Sequence, residues 1–176
     1  MRFRTLGATG LKVSEVGYGG GRVRAGADVD AIARMLHGAF DLGLNYIDTA
    51  ASYGGGLSET AIGQAIKGRR DGLVIATKTK SRDPKEIPAE VDGSLRRLGV
   101  DVIDVLQFHG GYIPEDDASA IIDGGGLDAY RALRDAGKIR YLGFSTDGPS
   151  GGAERLVASG GFDMVQLHYN LMYQST

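Results

Sequence analysis

Short apolar runs alternate with stretches of helical period along this chain, and the alternation repeats six times. The first residues, Arg2 to Val13 (RFRTLGATGLKV), hold two short polar-apolar runs around Gly7 and Gly10, a pattern that predicts a β-hairpin. Val13 to Tyr18 then predicts a first strand. From Asp28 to Leu42, Ile32, Met35, Leu36, Ala39 and Phe40 recur at helical spacing, with Asp28 as the N-cap and His37 on the solvated face. Leu44, Tyr46 and Ile47 form a buried strand that Asp48 ends. A second helix is expected over Ser58 to Lys67, capped by Ser58, with Ala61, Ile62, Ala65 and Ile66 facing inward and Gly68 stopping it. LVIATK, Leu73 to Lys78, is a continuous apolar run ending in a base, as in parallel strands covered on both faces.

The second half repeats the scheme. A helix over Ile87 to Leu98 presents Ile87, Val91, Leu95 and Leu98 on one side, and the chain passes through Gly99 into a strand ending in Gln107, Phe108 and His109. Gly110 to Gly125, polar and interrupted by Pro114, reads as a rim loop. Leu127 to Ala136 predicts a helix, Gly137 to Ser145 a fifth strand, Glu154 to Ala158 a short helix, and Met164 to His168 a sixth strand. Connections long enough for crossover helices argue for parallel α/β architecture. Periodicity does not separate a barrel from an open sheet.

Composition narrows the function classes. With 176 residues, 42% hydrophobic and 24% charged, the chain is sized for one domain, residues 1–176, with a real core. Twenty basic residues against 22 acidic ones, without a basic run, argue against nucleic acid as a partner. No apolar stretch approaches the roughly 20 residues of a membrane helix, and MRFRTLG lacks the apolar core of a signal peptide, so the expected location is the cytoplasm. The absence of cysteine excludes disulfides, thiolate metal sites and a cysteine nucleophile. The three histidines, His37, His109 and His168, lie on separate predicted elements without metal-ligand spacing, so no metal is expected. No G-x-G-x-x-G or Walker loop occurs.

The candidate chemistry lies at strand ends, where ligands bind in parallel α/β folds. Asp48 and Tyr53 follow the second strand, Lys78 ends the third and His109 the fourth. Lys80 shares the strand parity of Lys78, so alternation does not choose between them; closeness to the apolar run favours Lys78. The pattern D-T-A-x-x-Y-G (Asp48 to Gly54), the block SLRRLGVDVID (Ser94 to Asp104) and the run GKIRYLGFS (Gly137 to Ser145) resemble the aldo-keto reductases. That resemblance runs the whole chain and implies a (β/α)8 TIM-type barrel, here incomplete, with about six parallel strands and an N-terminal hairpin plugging its bottom.

By the same resemblance Asp48, Tyr53, Lys78 and His109 match the family's catalytic tetrad. Tyr53 would protonate a carbonyl oxygen, Lys78 would lower the phenol's pKa, Asp48 would hold Lys78 and His109 would orient the carbonyl. An ammonium about 4 Å away is worth roughly 4 kcal/mol at an effective dielectric of 20, enough to matter for a phenol. The family's nicotinamide-binding Ser and Gln match Ser145 and Gln166, with Thr146 where an Asn is usual, which implies NADPH, or NADH, and a small-molecule carbonyl substrate. The family's last two βα units, which carry an aromatic on the nicotinamide and most groups holding the adenosine phosphate, have no counterpart here. Six strands of an eight-strand design leave two unpaired edges. A longer protein, self-association, a complementing chain or marginal stability is therefore expected. Two other readings stand beside the reductase: a Schiff-base aldolase using Lys78, and a non-catalytic barrel fragment.

Overall fold

The computed structural model of the protein describes residues 1–172. Two strands, β1 (Phe3–Thr5) and β2 (Lys12–Ser14), pair antiparallel with Phe3 opposite Ser14. Their connection is a single 3-10 turn, Gly7–Thr9, that ends in the left-handed Gly10. The predicted hairpin is therefore present, but it takes Val13, and the first parallel strand starts only at Gly17.

Six strands follow in one sheet: β3 (Gly17–Gly19), β4 (Tyr46–Asp48), β5 (Val74–Thr79), β6 (Ile103–Phe108), β7 (Ile139–Thr146) and β8 (Met164–Leu167). Their spatial order is their sequence order and every pairing is parallel. The result is a curled half-barrel, an incomplete (β/α)8 barrel. Among the described residues β3 and β8 each have one strand neighbour. The interior strands β5 and β6 are buried along their whole length, as their continuous apolar sequences demand.

The helices are α1 (Val29–Asp41), α2 (Leu57–Ile66), α3 (Ile87–Leu98), α4 (Glu115–Ile122), α5 (Gly126–Asp135) and α6 (Gly151–Ala158). Asp28 caps α1 by accepting from the Ala31 amide at 3.0 Å, and α3 ends where Gly99 turns left-handed and donates to the Leu95 carbonyl. The expected Ser58 cap is absent. Gly56, at φ +96°, occupies the N-cap of α2, while Ser58 is buried in the first turn and its Oγ accepts from Thr49 at 2.8 Å. His37 is not on a solvated face either, since its Nε2 lies 2.9 Å from the Ala65 carbonyl of the neighbouring α2. Met35, expected inside, is half exposed, and Ala33 takes its place in the core. The polar stretch read as a rim loop contains α4, with Ala118 and Ile121 buried.

The two faces of the sheet differ in what covers them. On the convex face Ile47, Ile75, Leu106, Phe108, Leu142 and Phe144 pack under the helices in one core. Each such fully buried aliphatic contributes about 1.5–3 kcal/mol. Phe108 stacks on Tyr130 at 3.9 Å, and the Tyr130 hydroxyl meets Thr79 Oγ1 at 2.8 Å. On the concave face a smaller cluster, Val74, Ala76 and Val105, is covered by Leu11 and Val13 of the hairpin. The hairpin closes one end of the concavity, and the strand C-termini line the other.

Candidate active site

Alternation along parallel strands sorts the concave-face side chains into rows across the sheet. Asp48 lies opposite Ala76, Ala76 opposite Val105, and Val105 opposite Tyr141. One step nearer the strand ends come Lys78, Gln107, Gly143 and Met164. Ser145 pairs with Gln166 in the row above, and the same register, extended by two residues, adds Lys80 and His109 to that row. The ladder does continue there, because the His109 amide donates to the Thr79 carbonyl at 2.9 Å.

Lys78 is the centre of the first two rows. Its ammonium donates to both oxygens of Asp48, each at 2.7 Å, and to the Thr49 carbonyl at 2.8 Å. The side chain is 1% exposed, and burial pushes the amine below its ordinary value while the Asp48 carboxylate opposes that fall. Gln107 Nε2 also donates to Asp48 Oδ1, at 3.3 Å. Lys80, by contrast, is exposed, so burial separates the two lysines that alternation leaves equivalent.

Tyr53 reaches the same place from a loop. It opens a 3-10 turn, Tyr53–Gly56, in which Gly54, Gly55 and Gly56 all have positive φ, a path that side chains with a Cβ rarely follow. The turn lays the ring over Lys78, with Nζ 5.2 Å from the ring centroid, and edge-on to His109 at 5.4 Å. A Cβ on Gly21 would lie 3.6 Å from the ring, so glycine there leaves room beside the phenol. Lys78 does not lower the phenol as expected. Burial first, then Asp48 and Asp147, push the Tyr53 hydroxyl above its ordinary value.

His109 is held neutral. Burial, reinforced by Lys78 and Lys80, pushes it down to about 4, against the opposing pull of Asp48. Ser52 Oγ stands 3.5 Å from its Nδ1, and Arg82 ties its carbonyl at 2.8 Å while bonding Asp117 of α4. The three proposed cofactor residues behave differently from one another. Ser145 Oγ exchanges hydrogen bonds with the Gly110 backbone, both at 3.1 Å, and the single Thr146 hydroxyl proton is shared between the Gly148 carbonyl at 2.7 Å and the Gly111 carbonyl at 3.1 Å. Their hydroxyls fasten the loop after His109. Gln166 Oε1, like Gln107 Oε1, is a buried acceptor with no donor, which fits a carboxamide N–H arriving from the concavity.

Several contributors were not singled out from sequence. Glu59 is fully buried, accepting from Thr77 Oγ1 at 2.6 Å and from Arg97 Nε at 2.7 Å, so from the helix that follows the Tyr53 turn it grips the strand residue beside Lys78 and the helix α3. A charged residue near a helix start carries no sequence mark of burial. Gln107 had one: it interrupts an apolar strand at the parity of His109. Among the described residues no three of His, Cys, Asp or Glu converge as a metal set, and no helix is long and apolar enough to cross a membrane. A groove of about 1170 Å³ opens at the opposite, hairpin end among Leu11, Asn45, Arg70 and Arg140. Concavity alone would have pointed away from the acid, base and phenol.

Comparison with known proteins bears on the family and the fold. A sequence model of the aldo/keto reductase family matches residues 15–176. The oxidoreductase YqkF of Bacillus subtilis is 38% identical over 162 residues, covering 85% of this chain and 50% of its own. The holo form of the aldo-keto reductase AKR11C1 from Bacillus halodurans superposes with a TM-score of 0.82 at 33% identity, over 96% of this chain and 58% of that one. An aldo-keto reductase from Klebsiella pneumoniae in complex with NADPH superposes at 0.79 with 27% identity, over 96% and 59%. The chain thus spans about half the length of the curated relatives it matches. Sequence, sheet order and the family match agree that the chain belongs to the aldo/keto reductase family.

Proposed function

We propose that this chain carries the proton-donating half of an NAD(P)H-dependent reduction of aldehydes or ketones, in the cytoplasm. The observation that carries the reading is the buried Lys78 ammonium, bonded to both oxygens of Asp48, beneath a Tyr53 ring that meets His109 edge-on. When bound, a reduced nicotinamide supplies hydride, and Gln166 Oε1, with Ser145 and Thr146 beside it, would hold its carboxamide. Tyr53, raised above its ordinary value, keeps its proton at neutral pH and delivers it to the carbonyl oxygen. The Asp48–Lys78 pair stabilises the phenolate as it forms, since charge developing in a site of low dielectric is strongly felt. Neutral His109 donates a hydrogen bond to the carbonyl and so orients it.

A Schiff-base role for Lys78 is disfavoured, because all three N–H directions of its ammonium are used in hydrogen bonds. Among the described residues β3 and β8 each have one strand neighbour, which supports a partner for the sheet, either a second copy or a chain supplying further barrel strands. The test is reduction of para-nitrobenzaldehyde, followed by loss of reduced-nicotinamide absorbance, with the chain alone and co-expressed with the C-terminal segment of a longer relative. Turnover is expected in at least one case, and Tyr53→Phe lowers it by about a hundredfold or more. Unchanged turnover in Tyr53→Phe removes Tyr53 from the mechanism.

A further inference from the structure

The row that contains His109, Ser145 and Gln166 has a fourth member to which the reduction assigns no task. Lys80 stands opposite His109 in the extended register of β5 and β6, one interstrand spacing of about 4.8 Å away, and about 6.6 Å along the strand from Lys78 on the same face. Two anchors fix its backbone: its amide donates to Glu90 of α3 at 3.1 Å, and its carbonyl accepts from Arg82 at 3.0 Å. Arg82 lies over the helix-side Phe108 ring and Glu90 belongs to α3, so both anchors come from the helix-covered side, and alternation continued from Lys78 assigns the exposed Lys80 side chain to the concave side. Among the described residues no carboxylate pairs with its ammonium. Of the other cations beside His109, Lys78 is taken by Asp48 and Arg82 by Asp117.

We propose that Lys80 binds an anionic group on the carbonyl compound, so that this site selects aldehydes or ketones bearing a carboxylate. The inference rests on the reductase reading for the word carbonyl, but not for the anion. A carbonyl oriented by His109 and facing Tyr53 leaves the far end of a benzene-sized body within reach of the flexible lysine stem. Asp147 is the opposing charge at the mouth. It lies on the other flank, against Gly111 and 3.9 Å from His168 Nδ1, whereas Lys80 adjoins His109 itself. The influence of Lys80 on His109 is consistent with that closeness.

The probes are para-carboxybenzaldehyde and its methyl ester, which share shape and carbonyl and differ in charge. Binding is read on the chain from the His109 imidazole proton resonances, and turnover from nicotinamide absorbance. The acid is expected to bind about tenfold more tightly than the ester, a preference eroded by salt. Lys80→Met should remove the preference while leaving the ester's affinity within about twofold, and Lys80→Arg should retain it. Equal binding of acid and ester by the unaltered chain overturns the proposal, as does an equal loss of both in Lys80→Met. Weakened NADPH binding with unchanged acid binding in Lys80→Met would also overturn it, by assigning the anion to the cofactor. Preference without turnover under any condition removes the reductase reading and leaves the anion site; turnover without preference does the reverse.

Discussion

Replacing Lys78 by methionine removes one charge from a pair that almost no water reaches, and its cost follows from what is left behind. The ammonium gives up two 2.7 Å contacts to Asp48 and one of 2.8 Å to Thr49. Asp48 keeps only the 3.3 Å bond from Gln107 and is 13% exposed. Stranding one member of a buried pair costs about 3–5 kcal/mol. The cheapest relief for an orphaned carboxylate is to take up a proton, which for an ordinary aspartate costs about 5 kcal/mol near pH 7.5 but only about 1.5 kcal/mol near pH 5. Lys78→Met should therefore lose about 3–4 kcal/mol near pH 7.5 and markedly less near pH 5. Adding Asp48→Asn should recover at least about 2 kcal/mol as a coupling energy. The assay is urea unfolding followed by far-ultraviolet circular dichroism at both pH values, comparing midpoints at constant slope. A loss below about 1 kcal/mol, flat in pH and additive with Asp48→Asn, would refute the claim that Asp48 and Lys78 act as one buried unit.

Two further expectations concern other parts of the molecule. His109 should titrate by proton NMR near about 4 rather than near its ordinary value. Since its folded value is depressed, the unfolded chain binds the proton first as pH falls from about 6.5; the protein should lose stability relative to His109→Gln between there and about 4, and a midpoint near 6.5 would show the imidazole to be solvated. Among the glycines, a methyl group on Gly63 would overlap the Arg97 carbonyl and lie 2.8 Å from that of Leu98, whereas one on Gly38 meets nothing within 4 Å. Gly63→Ala should destabilise by about 1–3 kcal/mol by prising α2 from α3, and Gly38→Ala should stabilise by about 0.5–1 kcal/mol; thermal melts of the pair decide, and equal shifts would count against the close approach of α2 and α3.

What could be read from sequence, and what could not, divides along a physical line. Strands such as Leu73 to Lys78 announce themselves because a sheet covered on both faces needs an uninterrupted apolar run, and helices such as Ile87 to Leu98 because one stripe must face that sheet. Local pattern failed where a residue's partner lies far along the chain. Glu115, Asp116 and Asp117 look like loop composition, yet acids in a first turn favour a helix start, and Ala118 and Ile121 give α4 its buried side. Ser58 looks like a cap by its neighbours, but its oxygen serves Thr49, nine residues back, and a left-handed glycine does the capping.

The same line runs through the site. Motif spacing brought Asp48, Tyr53, Lys78 and His109 into view, but charge partition within the group depended on distances that no spacing encodes. An ammonium near a phenol is expected to acidify it, but the folded chain gives that ammonium to Asp48 at 2.7 Å, and burial of the ring, with Asp48 and Asp147, raises the phenol instead. For a proton donor this is a usable arrangement. The acid is fully protonated before reaction, and the cation it needs is already buried, desolvated and fixed by strand β5 when the oxygen begins to carry charge. Glu59 explains why the geometry can hold. It bonds Thr77, next to Lys78, and Arg97 of α3 from the first turn of α2, which directly follows the glycine turn of Tyr53. Strand, loop and helix are thereby referred to one buried carboxylate, and the position of the phenol over the ammonium follows from a contact made entirely on the other side of the sheet.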